Sequence, residues 1–526
     1  MFGRTIFGAT LLILFFNLLS RLLGLVREMV IAHQFGVSAA TDAYLVAFTL
    51  PNVLFTILTG ALATVVVPVF NEYAARGQRD EAWRLFSSVF NLVLVTLLAA
   101  TVVGIGLAPY LVKLLAPKLA PEVLALAAEL ARIMFPVLIF SGLATLFMGL
   151  LNANNIFGVA ACSGSVNNLV IIGAALALSG LMGIYGLAWG TTAGMVAAVL
   201  VQLPALRWAG FRYRPTCDWR HPGVRKVFYL VLPVALAISI NQIYILIDRF
   251  LASGLPEGSI AALNFSNKLI QLPVNLFVLA LGTAVFPSLT RWVAEGKQRE
   301  TLDAVRRALR LVFLIAVPSA VGLIVLRYPI VRLLFERGAF DERATGMTAT
   351  AVLFYSVGLA AFAANVICTR SFYAFQDMRT PMRLTLVTVL VNLILSLILM
   401  RPLLHGGLAL ANALAGIVNT FLLGRYLTRK LPGLWDASWI RFAFDVGAAS
   451  AVMAVAARAV NAVLGPRLAA FGAVGLALLV GCAILAGVAV YLGACFVLRV
   501  EETGLVTRRV AGLLSGIHGG IAGRGR

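Results

Sequence analysis

Three cationic side chains sit in stretches that are otherwise almost wholly apolar: Arg21 and Arg27 early in the chain, and Lys268 near its middle. A charge at the centre of a membrane helix costs about 2.5–3.5 kcal/mol on insertion scales, so each needs a partner or a purpose. Their neighbours are polar at helical spacing. Asn17, Arg21 and Glu28 stand at i, i+4 and i+11, with Arg27 beside them. Asn241, Tyr244 and Asp248 follow i, i+3, i+7, and Asn264, Asn267, Lys268 and Gln271 follow i, i+3, i+4, i+7. On a helix each set forms one face. Such faces commonly join helices to one another. Three cations together point instead to a cavity that takes an anion, and guanidinium groups suit phosphate through paired, charge-assisted hydrogen bonds. The carboxylates Glu28, Asp42 and Asp248 are candidate partners for these cations, or ligands for a coupling cation.

Catalytic chemistry is not legible. His33, His221, His405 and His518 are isolated, and no Ser/His/Asp set, metal-ligand spacing or nucleotide-binding loop is present. The five cysteines (Cys162, Cys217, Cys368, Cys482, Cys495) are scattered without a CxxC pair and read as small apolar packing residues. Any transport must then draw on an ion gradient, the membrane potential or the substrate's own gradient.

The elements that position these charges follow from composition. The 526-residue chain is 61% apolar and 12% charged, where ordinary globular proteins hold roughly 45–50% and 25%. A soluble protein cannot bury that much apolar surface, whereas a bilayer accepts it. Apolar runs between polar breaks predict fourteen transmembrane helices: 6–32, 42–72, 84–112, 124–152, 156–180, 183–206, 223–252, 259–289, 304–328, 344–374, 380–400, 406–428, 439–462 and 469–498. Each is long enough to cross a hydrocarbon core of about 30 Å. Met1–Ser20, with Arg4 ahead of an apolar stretch, could pass for a signal peptide. No small-x-small site with a polar exit follows, so it reads as a retained first span.

The net charge of +21 does not signal nucleic acid, because no basic face is laced with aromatics. The basic residues gather instead in alternate loops: Arg76, Arg79 and Arg84; Arg207, Arg212, Arg214, Arg220, Arg225 and Lys226; Arg291, Lys297, Arg299, Arg306, Arg307 and Arg310; Arg425, Arg429 and Lys430. The opposite loops carry almost none, apart from Arg327–Arg343, where arginines mix with Glu336, Asp341 and Glu342. With an even number of spans, both termini are expected in the cytoplasm of a bacterial cell whose plasma (inner) membrane holds the protein.

The chain also repeats itself. Val66-Val67-Pro68-Val69-Phe70 aligns with Val285-Phe286-Pro287-Ser288-Leu289 at an offset of 219. Leu50-Pro51 aligns with Leu272-Pro273 at 222, as does Asn155-Ile156-Phe157-Gly158 with Asp377-Met378-Arg379-Thr380. The expected organisation is a six-helix lobe over 1–215, a second over 216–432, and a final helix pair with a cytoplasmic tail over 433–526. The two lobes share one orientation, and transporters built from such repeats bind substrate where the repeats meet and alternate access by rocking. Pro51, Pro136, Pro233, Pro273 and Pro318 are read as lying inside helices, each breaking an i→i−4 bond and permitting a static or a moving bend.

These residues carry a resemblance. Ser20-Arg21-Leu22-Leu23-Gly24-Leu25-Val26-Arg27-Glu28, Phe35-Gly36, Thr41-Asp42-Ala43-Tyr44, Leu50-Pro51-Asn52 and Val67-Pro68 resemble the opening of the MurJ family of lipid II flippases, within the multidrug/oligosaccharidyl-lipid/polysaccharide exporter superfamily. Asp248-Arg249, Leu251 to Gly254, Asn264 to Pro273, Leu281-Gly282-Thr283, Phe372-Tyr373-Ala374 and Arg379-Thr380-Pro381 extend the likeness over the second half. The resemblance implies a flippase that moves lipid II, the undecaprenyl-pyrophosphate-linked peptidoglycan precursor, from the cytoplasmic to the outer face. Its implied substrate-binding residues are Arg21, Arg27, Glu28, Asp42, Asn52, Asn264, Lys268 and Gln271. It also implies a groove for the polyprenyl tail on the last helix pair, and a sodium site at Asp248, Asn392, Ser396 and Asn412, with Ser396 in place of a carboxylate. Two departures stand out. The family's helix 8 arginine is Lys268 here, and Phe55 and Thr56 stand where members often carry arginine after Leu-Pro-Asn.

Other readings remain open at this point. A flippase for another polyprenyl-linked glycan shares every feature above. A multidrug/cation antiporter would want a carboxylate-rich aromatic pocket, which the excess of cations opposes. A membrane glycan-transfer enzyme needs a substantial extracytoplasmic loop with acid/base residues, and a scaffold for cell-wall synthesis enzymes needs no buried charge. Expected partners are lipid II or a related lipid-linked glycan, membrane lipids and cell-wall synthesis enzymes. No cofactor is expected beyond a coupling cation, sodium or proton.

Overall fold

The computed structural model describes residues 6–500 and 502, apart from 155, 210–212, 214, 215, 217 and 275–278. Arg4, Asn155, Arg212, Arg214, Cys217, His518 and the expected tail beyond Glu502 therefore lie outside the described residues, as do the side chains of Asn241 and Leu281-Gly282-Thr283. Every regular element among the described residues is helical. In a bilayer the backbone must satisfy its own hydrogen bonds, and a helix does so within one segment.

Two compact units are present. The first comprises Met1–Ala262 with Phe335–Ala344, and the second Leu263–Leu334 with Thr345–Arg526. The first holds α1 (Ile6–Phe35), α2 (Ala39–Ala75), α3 (Arg79–Leu115), α4 (Pro121–Met134), α5 (Val137–Ala153), α6 (Phe157–Met182), α7 (Ile184–Leu200), α8 (Leu203–Trp208), α9 (Pro222–Ala252) and the first turn of α10 (Ser259–Pro273). The second holds the rest of α10, then α11 (Leu279–Ala294), α12 (Gln298–Phe335) as far as Leu334, α13 (Glu342–Val357) from Thr345, α14 (Leu359–Ala374), α15 (Arg379–Lys430), α16 (Ser438–Leu468) and α17 (Gly472–Val497).

Several expected segments are broken, and glycine or proline marks most of the breaks. The run 124–152 divides at Phe135–Pro136 into α4 and α5, so Pro136 lies at a helix boundary rather than inside a helix. Pro273 stands in the last turn described for α10, and residues 275–278 beyond it lie outside the described residues. The run 344–374 is bent by 46° at Gly358. Conversely, 380–400 and 406–428 form one stretch, α15, kinked at Leu404, whose φ of 51° leaves the helical region. Eight helical stretches among the described residues are long and apolar enough to cross a membrane, or nine counting the bent pair. Some of these stretches contain two expected segments, so the architecture is consistent with fourteen crossings.

In the first unit, Leu85, Phe86, Val89 and Leu97 of α3 pack with Val66 and Phe70 of α2, Leu146 and Leu150 of α5, and Val224 and Val227 of α9. The start of α9 is fastened there. His221 caps it by accepting from Gly223 N, and its Nε2 lies 3.2 Å from Glu81 on α3. The duplication survives as matching crevices. In the first unit Val66, Val67, Phe70, Phe86, Thr145 and Gly149 line one. In the second, Val285, Phe286, Leu289, Val305, Ile367 and Ser371 line another, at the same offsets of 219 and 222.

Candidate functional site

The expected cationic residues fall into both units. On α1, Arg21 is exposed, Arg27 half-buried and Glu28 buried. Arg27 is held from two sides. Its Nη2 donates to Glu28 Oε1 at 2.8 Å, and its Nη1 donates to Asn168 Oδ1 on α6 at 3.1 Å. The Asn168 amide is oriented in turn, because its Nδ2 donates to the Ser20 carbonyl at 3.0 Å. One amide thus grips α1 at two points two turns apart, while the Arg27 side chain keeps 25% of its surface exposed. An arginine fixed in this way has its charge balanced by one carboxylate and its remaining N–H groups available to an anion.

Asp42 does something the sequence did not suggest. Buried near the start of α2, it accepts from Gly258 N at 2.8 Å and from Ala261 N at 2.7 Å. Those are free N–H groups at the beginning of α10, where the helix dipole also favours a negative charge. Asp42 is therefore engaged as an external cap, with an oxygen on each N–H. Around it the end of α1, the α9–α10 loop and the α12–α13 loop meet closely. Ala339 N donates to His33 O at 2.8 Å, and Arg343 donates to Glu257 O at 3.3 Å. Gly36 and Gly258 have φ of 60° and 84°, and a Cβ on either would run into the backbone of Ala339 or the side chain of Val37.

Further along α2, Asn52 is half-buried and its carbonyl accepts from Thr56 Oγ1 at 2.8 Å. Phe55 packs against the apolar cluster of this unit. Tyr44 donates to or accepts from Thr191 on α7 at 2.8 Å and stacks on Phe48.

In the second unit, Asn264 and Lys268 of α10 are half-buried and Gln271 is exposed. Gln271 donates to Asn267, one turn back on the same face. Ser266, fully buried, donates to the Thr348 carbonyl of α13 at 2.9 Å and fixes the opposite face. The cation candidates Asn392 and Ser396 are buried one turn apart on α15, and Asn392 Nδ2 and Ser396 Oγ make no hydrogen bond among the described residues. Their oxygens, with those of Asn412 on the same helix, suit a hard cation, which prefers oxygen ligands. Asp248, the charged member of that set, is half-buried on α9 in the first unit. No group of three or more His, Cys, Asp or Glu able to hold a metal occurs among the described residues.

Asn168, Thr191 and Ser266 escaped the sequence reading. Asn167-Asn168 stands in an apolar run like the stripes that were noticed, and the cost of burying an amide was the available signal. Thr191 and Ser266 carry no such signal, because a hydroxyl in a helix can bond its own backbone.

A family model described as "Lipid II flippase MurJ" matches residues 31–492. A lipid II flippase MurJ of Burkholderia cenocepacia is 32% identical over 460 residues, covering 85% of this chain and 89% of that one. A probable lipid II flippase MurJ of Rhizobium meliloti is 33% identical over 433 residues, covering 80% and 79%. Among solved structures, lipid II flippase MurJ in an inward closed conformation superposes with a TM-score of 0.77 at 25% identity, covering 93% of this chain and 99% of that one. An inward-facing multidrug resistance MATE family transporter of the MOP superfamily shares the fold, with a TM-score of 0.69 at 16% identity over 81% of this chain and 98% of its own. This multi-pass helical membrane protein belongs to the MurJ family of lipid II flippases.

Proposed function

We propose that the chain flips lipid II from the cytoplasmic to the outer face of a bacterial plasma membrane by alternating access, with Arg27 and Lys268 binding its anionic head group. The observation that carries the reading is the Arg27 guanidinium, held by Glu28 and Asn168 inside an apolar helix with part of its surface left open. A diphosphate is the part of this substrate that fits such a group, since guanidinium pairs with phosphate oxygens through charge-assisted bonds. Arg21, Asn52, Asn264 and Gln271 supply further polar contacts for the sugar and peptide. Membrane lipids surround it, and cell-wall synthesis enzymes are the natural neighbours of a protein delivering this substrate. The clustering of arginine and lysine in alternate loops supports cytoplasmic termini. A coupling cation, sodium or proton, would use the oxygen-bearing residues Asp248, Asn392, Ser396 and Asn412.

One observation favours a second reading, a flippase for another polyprenyl-linked glycan. Phe55 is committed to apolar packing where relatives often carry arginine, so this chain has fewer cations for a pyrophosphate. Complementation separates the two. A host depleted of its own lipid II flippase expresses this chain, and lipid II reaching the outer face is measured. Rescue by the wild type, with loss in membrane-expressed Arg27→Ala and Lys268→Ala variants, is the expected result. Good expression without rescue would shift the substrate to another lipid-linked glycan, and rescue by both variants would remove these cations from the binding role.

A further inference from the structure

The last helix pair, α16–α17, lies outside the duplication, yet it packs along α12, a helix of the duplicated unit. The contact is specific where α12 carries Pro318. A proline has no N–H, so the carbonyl four residues earlier loses its helical partner. That carbonyl belongs to Leu314, and it accepts a hydrogen bond from the Tyr491 hydroxyl of α17 at 2.8 Å. Both residues are buried, where a carbonyl without a donor is costly.

One turn earlier the same helix is gripped again. Arg310 donates to Glu502, beyond the end of α17, at 2.9 Å, and to Ser438 at the start of α16. Its guanidinium also lies 5.5 Å from the Trp439 ring and 5.4 Å from Phe442. The Arg310 and Glu502 side chains keep only 12% and 7% of their surface exposed. Two consecutive turns of α12, the one whose carbonyl Pro318 frees and the one before it, are thus bonded to the appended pair.

The duplication supplies a control. At the offset of 219, Pro318 corresponds to Ala99 of α3 and Arg310 to Asn91. Ala99 has its N–H, so α3 frees no carbonyl at that level. At this level the copy that carries the extra pair has proline and the copy without it has alanine.

We propose that α16–α17 steadies α12 where Pro318 weakens it, with the Tyr491 hydroxyl standing in for the N–H that Pro318 lacks and the Arg310–Glu502 pair anchoring the turn before it. The pair is then a conformational strut on the second unit as well as a lipid-facing surface. This does not rest on the identity of the substrate.

The test is a double-mutant cycle on the full chain in lipid nanodiscs, read by amide hydrogen exchange over α12. Tyr491→Phe keeps the ring and removes only the hydroxyl. Exchange at the amides around Pro318 is expected to rise about 2- to 10-fold, the range for loss of one net hydrogen bond. Pro318→Ala restores the N–H for Leu314, so Tyr491→Phe in that background is expected to change exchange there by less than about 2-fold. An equal rise in both backgrounds would reduce Tyr491 to general packing and overturn the proposal. Should Pro318→Ala fail to fold, unchanged exchange in Tyr491→Phe alone overturns it, and a rise confined to those amides supports it.

Discussion

Asp42 caps a helix to which it does not belong: its carboxylate accepts from Ala261 N at 2.7 Å, in the first turn of α10, from a position 219 residues earlier in the chain. A second bond from Gly258 N makes the cap two-pronged. Hydrogen bonds to a charged acceptor contribute about 1.5–3 kcal/mol, and a buried N–H left without one is penalised on a similar scale. Asp42→Ala should therefore destabilise the first unit by about 1.5–3 kcal/mol. Amide exchange at 258–262 should rise before the rest of the protein loosens. Unchanged protection at those amides would show that the cap has no energetic weight.

The Asn168 amide is expected to matter through Arg27. Asn168→Ala removes both the Arg27 contact and the bond to Ser20 O. Interhelical hydrogen bonds in membranes average about 0.6 kcal/mol, so the fold should survive. Lipid II delivery should nonetheless fall about tenfold, as expected if an arginine loses a fixed orientation worth about 1.4 kcal/mol. Measuring delivery against membrane expression checks this, and parallel losses in both would assign Asn168 to folding alone.

Lys268 invites a gain-of-function test. Arginine at this position would offer a planar fork where lysine offers a point charge. Lys268→Arg is expected to bind a diphosphate head group several-fold more tightly, while Lys268→Ala binds it more weakly. Titration of the purified protein with a soluble lipid II analogue reads both. Equal affinity for all three proteins would place Lys268 away from the head group.

A pH effect is expected at the loop between α14 and α15 of the second unit. Burial acts to raise the Asp377 carboxyl, but the Thr380 amide and hydroxyl and the Lys430 ammonium outweigh it and hold it below the ordinary value of 3.8. Thr380 N and Oγ1 lie at 3.0 and 2.9 Å, and Lys430 Nζ at 3.1 Å. A carboxyl depressed on folding adds stability in full above its unfolded value and loses it as pH falls through the folded one. Wild type should unfold at a higher temperature than Asp377→Asn at pH 7, and the gap should close below about pH 4. A gap constant to pH 3 would contradict the assignment.

Much of the fold and part of the site could be read from the residues themselves. Long apolar runs and the offsets of 219 and 222 specify a helical membrane fold and the duplication, because each depends on local composition or on one stretch compared with another. Arg27 and Lys268 stand out as candidates for the same reason: a charge in an apolar run is costly wherever the run goes. Helix breaks were harder to place. Pro136 stands at a helix boundary while Pro51, Pro233 and Pro318 sit within helices, since the outcome depends on whether neighbouring groups can satisfy the freed carbonyl. Asp42 as a cap for α10, Asn168 as the holder of Arg27 and Tyr491 as the donor to Leu314 were decided by tertiary structure alone. Each is a bond between residues more than a hundred positions apart, and no local pattern records which distant N–H or carbonyl a polar side chain will meet.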